Sequence, residues 1–325
     1  MKTNLQETSL EALQFYDTVV ETPFFDTGLR LSGANVWLKD ETAQPVGSFK
    51  IRGAYRAAQL IGQDQLQAGI VTASAGNHGQ GIALAAQKLG SQAYIYVPES
   101  TPRRKLVALD KLGAKVVQVA GGVDEALDEA HSYARASGAA FIHPFNDNDV
   151  IDGQSTLIQE ILDNGAPDRL FVPVGGGGML AGACRAVSRT SAATELYGVQ
   201  LEGADAFAKS LDQGSLVTLP EVNTLSDGTA VKTAGSLALK EVLACSSFSE
   251  AIVISEAQLG EAMILQEALT GIAAEPAGSL AFAGMLTLAA KGDYPGETWA
   301  GVISGRHRDQ ERYHRLVAAA NHIFI

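Results

Sequence analysis

Short apolar runs alternate with stretches of helical periodicity through the middle of the chain. Ile70-Val71 reads as a buried strand and Gln80 to Leu89 as a helix. The pattern repeats with strand Ala93–Pro98, helix Arg103–Leu112, strand Lys115–Val119, helix Val123–Ala136 and strand Ala140–Ile142. It resumes with helix Gln154–Asp163, strand Leu170–Val172, a glycine-rich loop and strand Tyr197–Leu201. Strand-helix alternation of this kind predicts α/β structure, with parallel strands joined by crossover helices. No tandem repeat, low-complexity tract or long linker interrupts it. In open sheets of this class, ligands bind beyond the carboxyl ends of strands. Two small-residue loops, Thr72–Gly81 and Val174–Gly182, follow strand-like runs directly.

Composition narrows the function classes. The chain has 325 residues, 46% of them hydrophobic, enough for a large core and two lobes. A net charge of −12 argues against a nucleic-acid or anionic-membrane surface, since both select positive patches. Met1 to Glu11 is polar and lacks an apolar signal core. No apolar run approaches the roughly 20 residues that cross a bilayer. Cys184 and Cys245 are the two cysteines, with no CxxC spacing, so a reduced, cytoplasmic protein is expected. Neither cysteine has a sequence neighbour that suggests nucleophilic chemistry, and both are expected to fill core.

Three segments carry candidate chemistry. Lys50 sits in Pro45-Val46-Gly47-Ser48-Phe49-Lys50-Ile51-Arg52-Gly53-Ala54, a weakly charged context of small and apolar residues. A lysine there loses solvation, which favours the neutral, nucleophilic amine; the competing reading is an ordinary solvated lysine. Ser74-Ala75-Gly76-Asn77-His78 lies at a strand-to-helix turn, where free backbone N–H groups suit an anion. The competing reading is a turn in which Gly and Asn merely supply unusual backbone angles. Gly175-Gly176-Gly177-Gly178 precedes Met179. Four consecutive glycines are costly in chain entropy and suit close approach of backbone to a phosphate. Gly176, Gly178 and Ala181, with Glu202 some way downstream, also fit the dinucleotide fingerprint, so a nicotinamide dehydrogenase is a rival reading.

Together, Ser48–Ala54, Ser74–His78, Gly175–Met179, Ser226–Val231 and Ala274–Gly278 resemble the fold-type II family of pyridoxal-phosphate (PLP) enzymes, and most of all threonine/serine dehydratases. They occur in the family's order and cover most of the chain. The resemblance implies an α/β, two-lobed enzyme with parallel-rich sheets and helices on both faces. It implies a large domain of residues 1–59 and 148–325 and a small inserted domain of residues 60–147. A cleft between the lobes would then gather Lys50, Asn77 and Gly177 around one pocket. The resemblance implies a lyase of the amino-acid metabolism leading to isoleucine, converting L-threonine to 2-oxobutanoate and ammonia and L-serine to pyruvate. A homo-oligomer, dimer or tetramer, is the expected assembly.

The same resemblance assigns roles. Lys50 carries PLP as a Schiff base and shuttles the Cα proton, and Phe49 packs against the ring. Asn77 meets the phenolic oxygen. The backbone of Gly175, Gly176, Gly177, Gly178 and Met179 holds the phosphate. Ser304 meets the pyridine nitrogen, and Glu275 sits near the ring or serves as a helix-start carboxylate. Ser74, Ala75, Gly76, Asn77 and His78 take the substrate carboxylate, with His78 not catalytic.

Three departures matter. Serine racemases of the family carry a serine where this chain has Ala75, whose methyl group cannot transfer a proton. Their acidic metal pair near Glu202 is broken here by Ala208, so no metal is expected. The family's Ser-Gly-Gly-Asn reads Ser304-Gly305-Arg306-His307 in this chain. Arg306 and His307 could restrict the pocket, meet an acidic substrate side chain or lie on the surface, as charged clusters commonly do. A lyase for an acidic or other β-substituted amino acid, such as hydroxyaspartate or diaminopropionate, is the nearest rival, and Arg306 would favour an acidic substrate. A serine racemase and a non-catalytic PLP-binding protein are further alternatives. The end at Asn321–Ile325 leads to the expectation that no regulatory domain follows.

Overall fold

A computed structural model describes residues 15–320. The polar start, Met1 to Glu11, and the end, Asn321–Ile325, lie outside the described residues. In chain order the elements begin with β1 (Phe24–Leu31), β2 (Ala34–Asp40), α1 (Lys50–Gln59), α2 (Gln63–Ala68), β3 (Ile70–Ala73) and α3 (Asn77–Lys88). Next come β4 (Ala93–Pro98), α4 (Arg103–Lys111), β5 (Lys115–Val119), α5 (Val123–Ser137), β6 (Ala140–Phe141) and α6 (Asn148–Asp163). The rest are β7 (Arg169–Pro173), α7 (Gly178–Thr190), β8 (Glu195–Leu201), α8 (Ala206–Gln213), α9 (Ser236–Leu243), β9 (Phe248–Ile254), α10 (Glu256–Thr270), α11 (Leu280–Ala289), β10 (Thr298–Ile303) and α12 (Gln310–Ala319). The α/β expectation holds, and the sheets are parallel-rich.

The described chain groups into two compact units. One holds residues 15–21, 43–46 and 50–144; the other holds residues 22–42, 47–49 and 145–320. In the smaller unit four parallel strands lie in the order β5-β4-β3-β6. Val71, Ala73 and Tyr96 pack against Ala126, Ala130 and Ala134 of α5. Those alanines recur every four residues, so one small-residue stripe lets the helix approach the sheet closely.

The larger unit is built on six strands in the order β1-β2-β10-β7-β8-β9. Only the β1–β2 pair is antiparallel. Side chains alternate across this sheet, as a strand's period of two requires. Phe171, Trp299 and Ile303 join α10 and α11 on one face. Leu170, Val172, Ala300 and Val302 join α6 and α7 on the other. Helices therefore cover both faces, and the central strands read as nearly continuous apolar runs.

One charged cluster is sealed inside the larger unit. Lys39 of β2 is fully buried, a position that demands a partner. Its Nζ lies 2.5 Å from Glu160 Oε2 on α6 and donates to the Thr22 carbonyl oxygen at 2.7 Å. Thr22 Oγ1 in turn donates to Glu41 Oε1 at 2.6 Å. Removing one partner strands a buried charge. Lys39→Met should therefore lower the unfolding free energy by about 3–5 kcal/mol. Lys39→Met combined with Glu160→Leu should recover much of that loss. Urea unfolding of the three proteins checks both expectations, and a single variant as stable as the parent would contradict them.

Candidate active site

In the smaller unit, β3 delivers the chain into Ser74-Ala75-Gly76, and α3 begins at Asn77. The helix starts three residues earlier than its apolar pattern suggests, because its first turn is polar and small. Ser74, Ala75, Gly76 and Asn77 are half-buried, and Gly76 N–H donates to Ser74 Oγ at 3.4 Å. A Cβ at Gly79 would collide with the Ser74 carbonyl oxygen, so glycine is what lets the turn fold back on the helix. At Gly81 a Cβ would lie 3.0 Å from Ala54 Cβ and 3.3 Å from the Lys50 carbonyl oxygen. These small residues bring α3 against α1. Lys50 is the first residue of α1, and its Nζ donates to the Pro144 carbonyl oxygen at 3.1 Å.

His78 is 2% exposed, and its Nε2 lies 3.3 Å from the Ile142 carbonyl oxygen. A carbonyl only accepts, so Nε2 carries the ring proton and donates it there. Nδ1 is then an acceptor, and it is buried without a hydrogen-bond partner. Burial, reinforced by the Lys50 charge, pushes the His78 pKa down to about 3. His143 is pushed down to about 4 by burial, then by Lys50 and His131. Both rings are neutral at pH 7. His78 is thus held as a donor to Ile142. His143 was not singled out from the sequence; its partners come from elements remote in the chain.

In the larger unit, β7 ends at Pro173 and the glycine turn leads into α7. Gly176, Gly177, Gly178 and Met179 are buried, and Gly175 is half-buried. Gly177 has φ +94°, a left-handed conformation that other residues rarely adopt. A Cβ at Gly177 would collide with the Phe207 ring, and one at Gly176 with the Phe145 ring. At Gly178 it would lie 3.1 Å from Phe145, and at Gly175 3.2 Å from Thr229 Cα. The Gly176 carbonyl accepts from Gly235 N–H at 2.9 Å, and Ala181 N–H closes the first helical turn on the Gly177 carbonyl at 2.9 Å. The first N–H groups of a helix have no partner within it. A buried, side-chain-free turn at the head of a 13-residue helix is therefore suited to an anion.

A second group of candidates meets at the end of β10. Ser304 is 2% exposed, and its Oγ donates to the Ala277 carbonyl oxygen at 3.1 Å. Phe49 N–H donates to the Ser304 carbonyl oxygen at 3.1 Å. Glu275 N–H donates to the Gly305 carbonyl oxygen at 3.0 Å, and Glu275 Oε2 accepts from His307 N–H at 3.1 Å. A Cβ at Gly305 would lie 2.7 Å from Glu275 Oε1. Arg306 is exposed and reaches across Gly47, where a Cβ would lie 2.6 Å from Arg306 Nε. Ser48, paired with Gly305 across a β-bridge, is fully buried, and its hydroxyl has no hydrogen-bond partner. An orphaned buried hydroxyl beside Phe49 calls for an explanation. Sequence gave Ser48 no role of its own, since burial at a lone serine leaves no periodic signal.

Within the smaller unit, Lys50 and Ser74–His78 are thus neighbours through α1 and α3. Within the larger unit, Phe49, Glu275 and Ser304 meet at the end of β10. There the Ser226–Ala230 segment approaches the glycine turn through Thr229 and Glu275 through Gly228. Among the described residues, no group of three or more His, Cys, Asp or Glu side chains is arranged to hold a metal ion. Nor is any described helix long and apolar enough to cross a membrane.

Residues 17–305 match the family described as "Pyridoxal-phosphate dependent enzyme". The chain is 39% identical over 319 residues to "Threonine dehydratase 1 biosynthetic, chloroplastic" of Solanum lycopersicum, covering 95% of this chain and 51% of that protein. It is 36% identical over 289 residues to "L-threonine ammonia-lyase" of Thermotoga maritima, covering 88% of this chain and 71% of that protein. The chain spans about half the length of the tomato relative. Among solved structures, the processed form of threonine deaminase isoform 2 from Solanum lycopersicum is similar with a TM-score of 0.88 and 31% identity. That likeness covers 98% of this chain and 95% of that one.

The two neutral histidines make stability pH-dependent in a definite direction. Their folded pKa values, about 3 and about 4, lie below the ordinary 6.5, so the unfolded chain binds protons more readily. Stability is full above pH 6.5 and is lost as pH falls from there toward those values. At about pH 5.5 each group removes about 1.4 kcal/mol. Urea unfolding at about pH 7.5 and 5.5 should show the loss, and His78→Gln should remove about half of it. An identical pH dependence in parent and variant would contradict the burial of a neutral His78.

Proposed function

The chain belongs to the family of pyridoxal-phosphate dependent enzymes, and from that premise we propose that it is an L-threonine dehydratase. Its reaction converts L-threonine to 2-oxobutanoate and ammonium, and L-serine to pyruvate and ammonium. The likeness to threonine dehydratases over most of the chain supports the substrate class. The observation that carries the reading is the glycine turn, whose crowding by Phe145 and Phe207 excludes every side chain.

The residues fit the cofactor. The N–H groups of Gly175 to Met179 would hold its phosphate at the head of α7. Lys50 Nζ would bond its aldehyde carbon, Phe49 would pack on its ring, and Asn77 would donate to its phenolic oxygen. Ser304 would face the ring nitrogen. Its single hydroxyl proton is shared with the Ala277 carbonyl, so donation to the ring requires the hydroxyl to turn. Glu275 would lie beside the ring, its Oε2 fixed by His307 N–H. When bound, the cofactor supplies an electron sink for negative charge at the substrate Cα.

The chain's own groups then define the reaction. N–H groups of the Ser74–His78 turn bind the substrate carboxylate at the start of α3. With the cofactor in place, Lys50 Nζ would take the proton from Cα; as the Cα–Cβ double bond forms, the Cβ–O bond would break and the β-hydroxyl would leave as water with a proton from solvent. Ala75 offers no exchangeable proton, and the His78 ring proton is committed to Ile142. Proton transfer at Cα is therefore confined to the Lys50 side, which favours elimination over racemisation. A hydroxyl rather than a carboxylate facing the ring nitrogen would leave that nitrogen unprotonated, which would disfavour transamination. The functional lobes are taken as 60–147 within 1–59 and 148–325; in the compact units, residues 15–21, 43–46 and 50–59 group with the smaller one and 145–147 with the larger. A homo-oligomer in the cytoplasm is the working form under this reading.

The test is turnover. The parent should release 2-oxobutanoate from L-threonine, and Lys50→Ala should lower that rate by at least about 10²–10⁴-fold, since it removes both the covalent attachment and the base. Release of 2-oxobutanoate by Lys50→Ala at near the parent rate would overturn the assignment. Absence of the ketoacid with the parent would overturn the substrate.

A further inference from the structure

The segment that leaves β10 is tied down on two sides. On one side it pairs with the residues that lead into Lys50. Ser48 and Gly305 form an antiparallel bridge, Phe49 N–H donates to the Ser304 carbonyl oxygen at 3.1 Å, and Arg306 N–H donates to the Gly47 carbonyl oxygen at 3.0 Å. On the other side Glu275 N–H donates to the Gly305 carbonyl oxygen at 3.0 Å, and His307 N–H donates to Glu275 Oε2 at 3.1 Å. Arg308 anchors the far end. Its Nε donates to the Ala274 carbonyl oxygen at 2.8 Å, and its guanidinium meets Glu267 of α10 at 2.8 Å. The guanidinium carbon lies 4.0 Å from the centroid of the Tyr313 ring on α12.

Between these ties, the Arg306 side chain folds back over Gly47. Gly47 has φ +70° and is buried, whereas Arg306 is exposed. A Cβ at Gly47 would lie 2.6 Å from Arg306 Nε, 2.9 Å from its Cγ and 3.2 Å from its Cδ. The atoms nearest the glycine are therefore the hydrocarbon stem and the nitrogen at the root of the guanidinium, not its outer end. Long cationic side chains pack in this way, with the stem on the protein and the charge in water.

We propose that Arg306 is a positioning residue for the segment that leads into the lysine: its stem clasps Gly47 and holds Ser48 and Phe49 in register with Ser304 and Gly305, and its charge does not select the substrate. The need for a clasp is local. Glycine is the least constrained residue of a chain, and Gly47 opens this pairing. Ser48 is fully buried with its hydroxyl unpaired, which costs free energy and favours a shift that lets water in. The backbone pairing and the Arg306 stem oppose that shift. Lys50 follows Phe49 directly, so a slip of the pairing moves the residue assigned to the Cα proton. The inference rests on the proposed roles of Phe49, Lys50 and Ser304, and adds what keeps their segments together.

The test separates stem from charge. Arg306→Met keeps an unbranched stem and removes the charge, whereas Arg306→Ala removes both. Hydrogen exchange of the holoenzyme, read by mass spectrometry on peptides that contain the Phe49 amide, reports the pairing without reference to any substrate. Exchange there should quicken at least about tenfold in Arg306→Ala and stay within about twofold of the parent in Arg306→Met. Gly47→Ala puts a methyl group where the stem lies and should quicken it too. Arg306→Ala added to Gly47→Ala should then change it by less than Arg306→Ala alone, as two residues sharing one contact require. With L-threonine, kcat should fall in Arg306→Ala and recover in Arg306→Met. The ratio of kcat/KM between L-threonine and 3-hydroxyaspartate should not shift in either variant. Unchanged exchange in Arg306→Ala, an Arg306→Met variant that behaves like Arg306→Ala, or a loss confined to hydroxyaspartate would overturn the proposal. If the parent turns over neither amino acid, the dehydratase reading fails, and the exchange measurement still decides the clasp.

Discussion

No side chain fits on the turn between β7 and α7, and much of the molecule depends on that constraint. Phe145 crowds Gly176 and Gly178, Phe207 crowds Gly177, and Gly177 holds a φ that only glycine adopts without strain. Backbone N–H groups are the one chemistry such a turn can offer. The helix that follows supplies Leu180, Ala181, Ala183 and Val187 to the core against β7 and β10. The geometry that would receive an anion is thus anchored by the packing that stabilises the larger unit. It needs no mobile part to assemble it.

Two lysines illustrate how context sets chemistry. Lys39 is sealed between Glu160 and the Thr22 carbonyl, where its charge is matched and its amine is unavailable. Lys50 opens a helix, is only partly buried, and meets the Pro144 carbonyl. Its charge helps hold His78 and His143 neutral. Under the proposed reaction Lys50 would be the group that exchanges a proton with a ligand, while the His78 ring proton is committed to Ile142. The nicotinamide reading of Gly176, Gly178 and Glu202 gives no such place to Lys50 and is set aside by the family match.

Much of the smaller unit was legible because its signals are local. Strands β3, β4 and β5 are short β-branched or aromatic runs, and α5 is an unbroken amphipathic segment. The glycine turn was legible for the same reason, since a requirement for no side chain is written into the residues themselves. Helix starts lie ahead of the apolar pattern: α6 begins at Asn148, capped by Asp147, while its apolar pattern only becomes regular further on. The β1–β2 hairpin has only a weak sequence signal, although Ser32 and Gly33, with φ of 45° and 91°, form the two-residue turn that joins it. Ser48, Phe145 and Phe207 could not be read, because each gains its meaning from a residue far away in the chain.

The central claim is that backbone at Gly177 must come within hydrogen-bonding distance of the cofactor's phosphate. Titration of cofactor-free Gly177→Ala with pyridoxal phosphate tests it most directly, with circular dichroism and thermal unfolding recorded on the same sample. The account predicts a protein that keeps its secondary structure but binds pyridoxal phosphate at least about tenfold more weakly, a loss of about 1.4 kcal/mol or more. A folded Gly177→Ala variant with the parent's affinity would contradict it.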